Sequence, residues 1–288
     1  MPLQRSVNSA PLRKSCHSCQ GFRPCPTLHL KTPDRPSISR SAAATFLIVM
    51  NALTRCLDSY WSSSIGKKLI VALTGIVLVL FVVGHLVGNL AVFAGREAFN
   101  DYAYFLHHLL HGAGIWVFRI VMLAMVGAHI AATVSLTRQN RAARKAYECQ
   151  TTIQASKSSR TMILSGLTIL AFVIYHLLHF TVRAGNTYDS YVDPEHLAKT
   201  GLERHDAWKM VIDGFSPGCW YVSLFYVIAM TLLCSHLMHG VGSIFQTLGF
   251  RSKKASTLIR QVSIGLSLFI WAGFVSIPVA ILIGWIGN

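Results

Sequence analysis

Five apolar runs, each long enough to cross a bilayer, constrain this chain more than anything else in it. They cover roughly residues 69–93, 115–137, 161–182, 219–248 and 261–287. A spanning helix needs about 20 consecutive, mostly apolar residues. In lipid the backbone polar groups must pair with each other, so runs of this length predict helices. The expected fold class is an all-α membrane protein with five transmembrane helices. Arg119 near the start of the second run can snorkel, and Pro278 in the last is tolerated in a membrane helix. Composition agrees: 52% of the 288 residues are hydrophobic and 13% charged, too apolar for an ordinary soluble domain.

The net charge of +15 is of the kind nucleic-acid binders carry. Its distribution excludes that class. Arg138, Arg141, Arg144, Lys145, Lys157 and Arg160 lie between runs two and three against Glu148 alone. Arg251, Lys253, Lys254 and Arg260 lie between runs four and five, and Lys67 and Lys68 precede run one. Residues 184–218 instead carry Asp189, Asp193, Glu195, Glu203, Asp206 and Asp213 against Lys199, Arg204 and Lys209. The positive-inside rule then predicts a cytoplasmic N-terminus and an outside C-terminus. The phrase FNDYAYFLHHLLHG, between runs one and two, is apolar on one side and predicts an interfacial helix on the outer face.

Residues 1–49 differ in kind, with six of the nine prolines, seven Lys/Arg and one acid, Asp34. They read as a disordered extension, a transit peptide or a mis-assigned start, with Met50 favoured as the first residue. The membrane domain is expected over 50–288. Cysteines 16, 19, 25, 56, 149, 219 and 234 show no disulfide framework, and Cys16, Cys19 and Cys25 lack an obvious fourth ligand for a metal.

Four of the five runs carry histidine: His85, His129, His176 with His179, and His236 with His239. An ionisable group inside such a run is costly. A single one can simply hydrogen-bond a neighbouring helix. Six over four consecutive helices ask for more. Runs one and three share a phrase: Thr74-Gly75 precedes FVVGHL as Ser165-Gly166 precedes FVIYHL, with each glycine ten residues before its histidine. At 1.5 Å per residue, His85 lies about 25 Å beyond Lys68 and His176 about 24 Å beyond Arg160. His129 lies about 14 Å from Arg138, and His236 and His239 about 22 and 18 Å from Arg251. The pattern predicts two histidine pairs at two depths of a four-helix arrangement, one near the outer face and one nearer the inner. Two facing neutral imidazoles in a bundle suit a b-type haem, and two such haems would make an electron path across the bilayer. Gly84, Gly88, Gly127, Ala128, Gly240 and Gly242 near these positions leave room for a macrocycle. Zinc or copper transport and purely structural histidines are the competing readings.

The stretch SSIGKKLIVALTGIVLVLFVVGHLVGNL (63–90) resembles the opening of the cytochrome b membrane subunit of bacterial succinate dehydrogenases and fumarate reductases, of the single-chain, five-helix, two-haem type. NDYAYFLHHL (100–109), HIAATVSLTRQNRAARKAY (129–147), YHLLHFTVR (175–183), HDAWKMVIDGF (205–215) and SHLMHGVGSIFQTLG (235–249) follow in order. The resemblance covers about residues 60–250. It implies that the first four helices form the haem-binding bundle, with His85 and His176 on the outer haem and His129 with a histidine of helix four on the inner one. The family spacing to an apolar residue and glycine, here Leu248-Gly249, selects His236, whereas depth favours His239; the shared H-L phrase selects His176 over His179. Ser64, Lys67, Arg119 and Arg160 are candidates for the haem propionates. His107, His108, His111, Glu97 and Asp101 are candidates for a quinone region. The implied partners are a flavoprotein and an iron–sulfur subunit on the cytoplasmic side, the lipid bilayer and a membrane quinone, in a bacterial inner membrane. The chain itself would not act on succinate but would serve electron transport in a complex of the tricarboxylic acid cycle. The basic cytoplasmic loops would also dock the iron–sulfur subunit, unless they only set topology. The alternatives are a haem-free anchor or transporter, or the cytochrome b subunit of a hydrogenase or formate dehydrogenase.

Overall fold

Helix ends in this protein are set by caps and turn residues rather than by hydropathy, so the observed helices do not coincide with the apolar stretches. The computed structural model describes residues 42–143, 161–250, 252 and 254–287. The helices are α1 (Ala42–Ser62), α2 (Ser64–Leu90), α3 (Arg96–His108), α4 (Ala113–Ala142), α5 (Met162–His176), α6 (Pro194–Thr200), α7 (Ala207–Gly214), α8 (Trp220–Thr247) and α9 (Ala255–Leu282). Ser63 starts α2 ahead of its apolar run, because its Oγ accepts the N–H groups of Ile65 and Gly66 at 3.2 and 3.4 Å. Before α4, Leu110 and His111 both hold positive φ, at 51° and 54°. For residues with a Cβ this costs about 1–2 kcal/mol each.

Five segments, built on α2, α4, α5, α8 and α9, are long and apolar enough to span a membrane. The protein is an all-α, multi-pass membrane protein. Among the described residues there is no strand, only an isolated antiparallel bridge between Val192 and His205. The helix α1 begins inside the segment expected to be disordered, and all of its described side chains are exposed. Residues 1–41 lie outside the described residues. So do Arg144 to Arg160, Arg251, Lys253 and the cysteines at 16, 19, 25 and 149.

Lipid offers no hydrogen bonds, so hydroxyls in the spans turn inward on their own helices. Thr74, Thr133, Thr168, Thr231, Ser263 and Ser267 each donate to the carbonyl four residues back, at 2.7–3.0 Å. Leu73, Leu80 and Val87, seven residues apart on α2, are 52%, 67% and 62% exposed and form a lipid-facing stripe. The opposite side packs: α2 on α4, α8 and α9, and α8 on α5 and α9. Leu86 is fully buried and fills the gap left by Gly273, where a Cβ would stand 2.7 Å from the leucine Cδ1.

One end of the bundle is basic, with Lys67 and Lys68 opening α2, Arg138 and Arg141 closing α4, and Lys254 before α9. The other end is capped by α3 and by residues 188–214. Asp193 caps α6 and Asp206 caps α7 with side-chain oxygens. Asn100 of α3 is fully buried; it donates to Asp193 at 2.9 Å and to Asp206 at 3.0 Å, and accepts the Trp208 N–H at 2.8 Å. Arg204 pairs with Asp193 at 2.6 Å and also with Asp101. Burial alone would raise the Asp193 carboxyl, but the Arg204 and Asn100 hydrogen bonds prevail and hold it at about 2.

Candidate functional site

A continuous cavity of about 2850 Å³ runs between α2, α4, α5 and α8. A pocket for one small molecule is roughly 300–1,000 Å³, so this space holds more than one. Its wall is mostly apolar. Lys68, Arg138 and Arg141 line it at the basic end, and Arg119, Arg183 and Arg204 at the capped end. His85, His129, His176, His236 and His239 line it in between.

These imidazoles lie at two levels. Toward the capped end, the rings of His85 on α2 and His176 on α5 stand 5.8 Å apart, centroid to centroid, and nearly perpendicular at 84°. Each is backed by the phenylalanine four residues earlier, Phe81 at 5.2 Å and Phe172 at 5.7 Å. The repeated F-V-[VI]-x-H phrase therefore encodes the same ring stack twice. Toward the basic end, His129 Nδ1 lies 3.0 Å from the Thr74 hydroxyl and His236 Nδ1 lies 3.2 Å from that of Ser165. Thr74 and Ser165 each precede the other level's histidine by eleven residues, so the levels are about 16 Å apart along the bundle. Gly75 and Gly166 admit the rings: a Cβ on either would touch the Cε1 of His129 or His236 at 3.7 or 3.6 Å.

The spare histidines differ. His239 lines the cavity without a hydroxyl partner among the described contacts, whereas His179 stands outside the lining. After His176 the helix widens into a π turn over Leu177–Thr181. There His179 shares the Tyr226 hydroxyl with His176, each Nδ1 at 3.2 Å, and reaches the Tyr188 hydroxyl at 3.5 Å. Burial pushes the Tyr188 phenol up to about 12, so it stays protonated at neutral pH.

The charged candidates scatter. Arg119 lines the cavity and covers the Trp116 ring at 5.0 Å. Lys67 is buried and points at Trp61, 5.8 Å from its ring, while Ser64 is exposed at the start of α2; neither lines the cavity. Arg160 lies outside the described residues. His107 and His108 line the capped end, with His108 stacked on Tyr104 at 3.7 Å. His111, Glu97 and Asp101 do not; Glu97 pairs with Lys199 and Asp101 with Arg204. Lys68, Arg138, Arg141, Arg183 and Arg204 were not singled out from sequence as cavity cations. For all but Arg204 the signal was present as charges within about one turn of an apolar run.

The donor set can be matched to a group by its chemistry. Among the described residues no three His, Cys, Asp or Glu side chains converge as a metal cluster. Zinc usually takes three or four protein ligands. Paired imidazoles suit a metal whose remaining positions come from a macrocycle. Two metal–imidazole bonds of about 2 Å each, plus the ring radii, set facing rings roughly 6 Å apart, close to the 5.8 Å between His85 and His176. Apolar walls with cations at both ends suit a flat hydrophobic group that bears carboxylates. No family model, curated protein or solved structure gives a significant match to the chain.

Proposed function

We propose that this chain is the membrane-anchor cytochrome b subunit of a succinate:quinone oxidoreductase, a succinate dehydrogenase or fumarate reductase. What carries the reading is the pair of two-imidazole levels in one cavity that runs the length of the bundle. His85 with His176, and His129 with His236, would hold two b haems. When bound, each haem supplies one-electron transfer. The chain's own residues do the rest. The imidazoles would hold the irons. Lys68, Arg138 and Arg141 at one end, and Arg119 and Arg183 at the other, balance propionate charge. The apolar wall, Phe81 and Phe172 included, excludes water and keeps the imidazoles neutral.

In this reading the protein sits in a bacterial inner membrane with its N-terminus in the cytoplasm and its C-terminus outside. The basic end meets an iron–sulfur subunit, which in turn carries the flavoprotein, and quinone exchanges electrons with the chain. The test is affinity purification of the tagged chain from membranes of its own host. A co-purifying flavoprotein and iron–sulfur protein, with succinate reducing the b absorbance, is the expected result. A hydrogenase or formate dehydrogenase partner, or absorbance blind to succinate and fumarate, would assign the cytochrome elsewhere.

A further inference from the structure

Thr74 and Ser165 each have one hydroxyl proton and more than one neighbour to give it to. Thr74 Oγ1 lies 2.7 Å from the Ile70 carbonyl and 3.2 Å from that of Val71. Ser165 Oγ lies 3.1 Å from the Met162 carbonyl. Carbonyls only accept, and a hydroxyl in a helix ordinarily gives its proton to the carbonyl three or four residues back. With the protons placed there, each hydroxyl oxygen accepts at the remaining contact and the imidazole Nδ1 carries the hydrogen. A neutral imidazole protonated at Nδ1 has its free lone pair on Nε2.

We infer that Thr74 and Ser165 are positioning residues that lock His129 and His236 in the Nδ1-protonated tautomer and leave both Nε2 atoms free to bind iron. This rests on the assignment of these histidines as haem ligands. The arrangement is twofold in kind. The helices α2 and α5 each carry a ligand for the capped level and, eleven residues earlier, the acceptor for the basic-level ligand of an antiparallel neighbour. The repeated [TS]-G followed by F-V-[VI]-x-H is thus one functional unit. It also assigns the basic-level ligand of α8: His236, held by Ser165, rather than His239.

A hydrogen bond from the non-ligating nitrogen raises the basicity of an axial imidazole, which favours oxidised iron. Thr74→Val and Ser165→Ala remove the acceptor oxygen with little change of volume. In the full chain in native membranes, each should keep two haems per polypeptide. Each should raise the midpoint potential of one and the same haem, the one lost in His129→Ala. The shift should approach tenfold in the oxidised-to-reduced ratio, about 59 mV for one electron. The low-spin EPR signal of that haem should shift as well, and the other haem should not move. Thr74→Ser, which keeps the oxygen, should restore the wild-type potential. Unmoved potentials, both haems moving together, or Thr74→Ser behaving like Thr74→Val would overturn the inference while leaving the two-haem reading intact. Wild-type protein with no haem overturns both. Should Thr74→Val lose haem through misfolding, Ser165→Ala still decides, since it removes a single oxygen.

Discussion

The two histidine levels are built from one sequence phrase and yet are held in opposite ways. At the basic level each imidazole leans on a hydroxyl whose proton is spent on its own helix. Apart from the imidazoles, among the described contacts these hydroxyls reach only the turn of backbone before them. At the capped level the rings lean on phenylalanines, and His176 shares the Tyr226 hydroxyl with His179, which leads on to Tyr188 and the cap. Among the described hydrogen bonds the His85 ring meets Asn89 alone, whose amide donates to the His85 carbonyl at 2.7 Å and lies 3.3 and 3.4 Å from the two ring nitrogens. The basic level is insulated, and the capped level is coupled to the loops above it. What disturbs the cap should therefore be felt at one level and not the other.

The sharpest way to break this contrast is Asn100→Leu. It removes two donors from buried carboxylates and the acceptor of the Trp208 N–H, a loss of about 3–5 kcal/mol. Thermal unfolding should start at the cap, and haem at the capped level should be lost first while the basic level persists. Equal loss at both levels would erase the distinction.

Acid probes the same joint more gently. The Asp193 carboxyl is held at about 2 in the folded protein against 3.8 for the free group. A lowered folded value stabilises above the unfolded one, so the contribution is full above about pH 4 and drains as pH falls toward 2. It amounts to on the order of 2 kcal/mol. Hydrogen exchange of the 188–214 backbone should accelerate over that window before the spanning helices open.

Tyr226→Phe sharpens the contrast without touching the cap's charges. It deletes the hydroxyl between His176 and His179 at a cost of about 1–2 kcal/mol. Spectral change should be confined to the haem that His85→Ala removes. The smallest effect belongs to Lys199→Ala, since the Lys199–Glu97 pair is exposed on both sides. Stability should fall by less than about 1 kcal/mol, with neither haem altered.

Much of this was legible in the sequence, for physical reasons that also explain the rest. Lipid forces long apolar helices, so hydropathy located all five spans and missed only their ends, where Ser63 and the turn residues decide. The two histidine depths could be read because a helix rise is constant. The cap could not be read: α6 and α7 are only seven and eight residues long, and their order depends on Asn100, which lies 93 and 106 residues from the carboxylates it joins. Thr74 and Ser165 were visible as repeat markers, but their role needs the antiparallel neighbour that only the fold supplies. The shared H-L phrase had already preferred His176 to His179, but the π turn that brings His179 to Tyr226 and Tyr188 could not be read.

The most direct test of the central claim is haem counted per polypeptide, from a dithionite-reduced minus oxidised spectrum of the purified chain and of His85→Ala and His129→Ala. The predicted result is two b haems in the wild type and one in each variant, with a different haem missing in each case. A well-folded, haem-supplied wild type with no haem, or variants that keep both, would contradict the account.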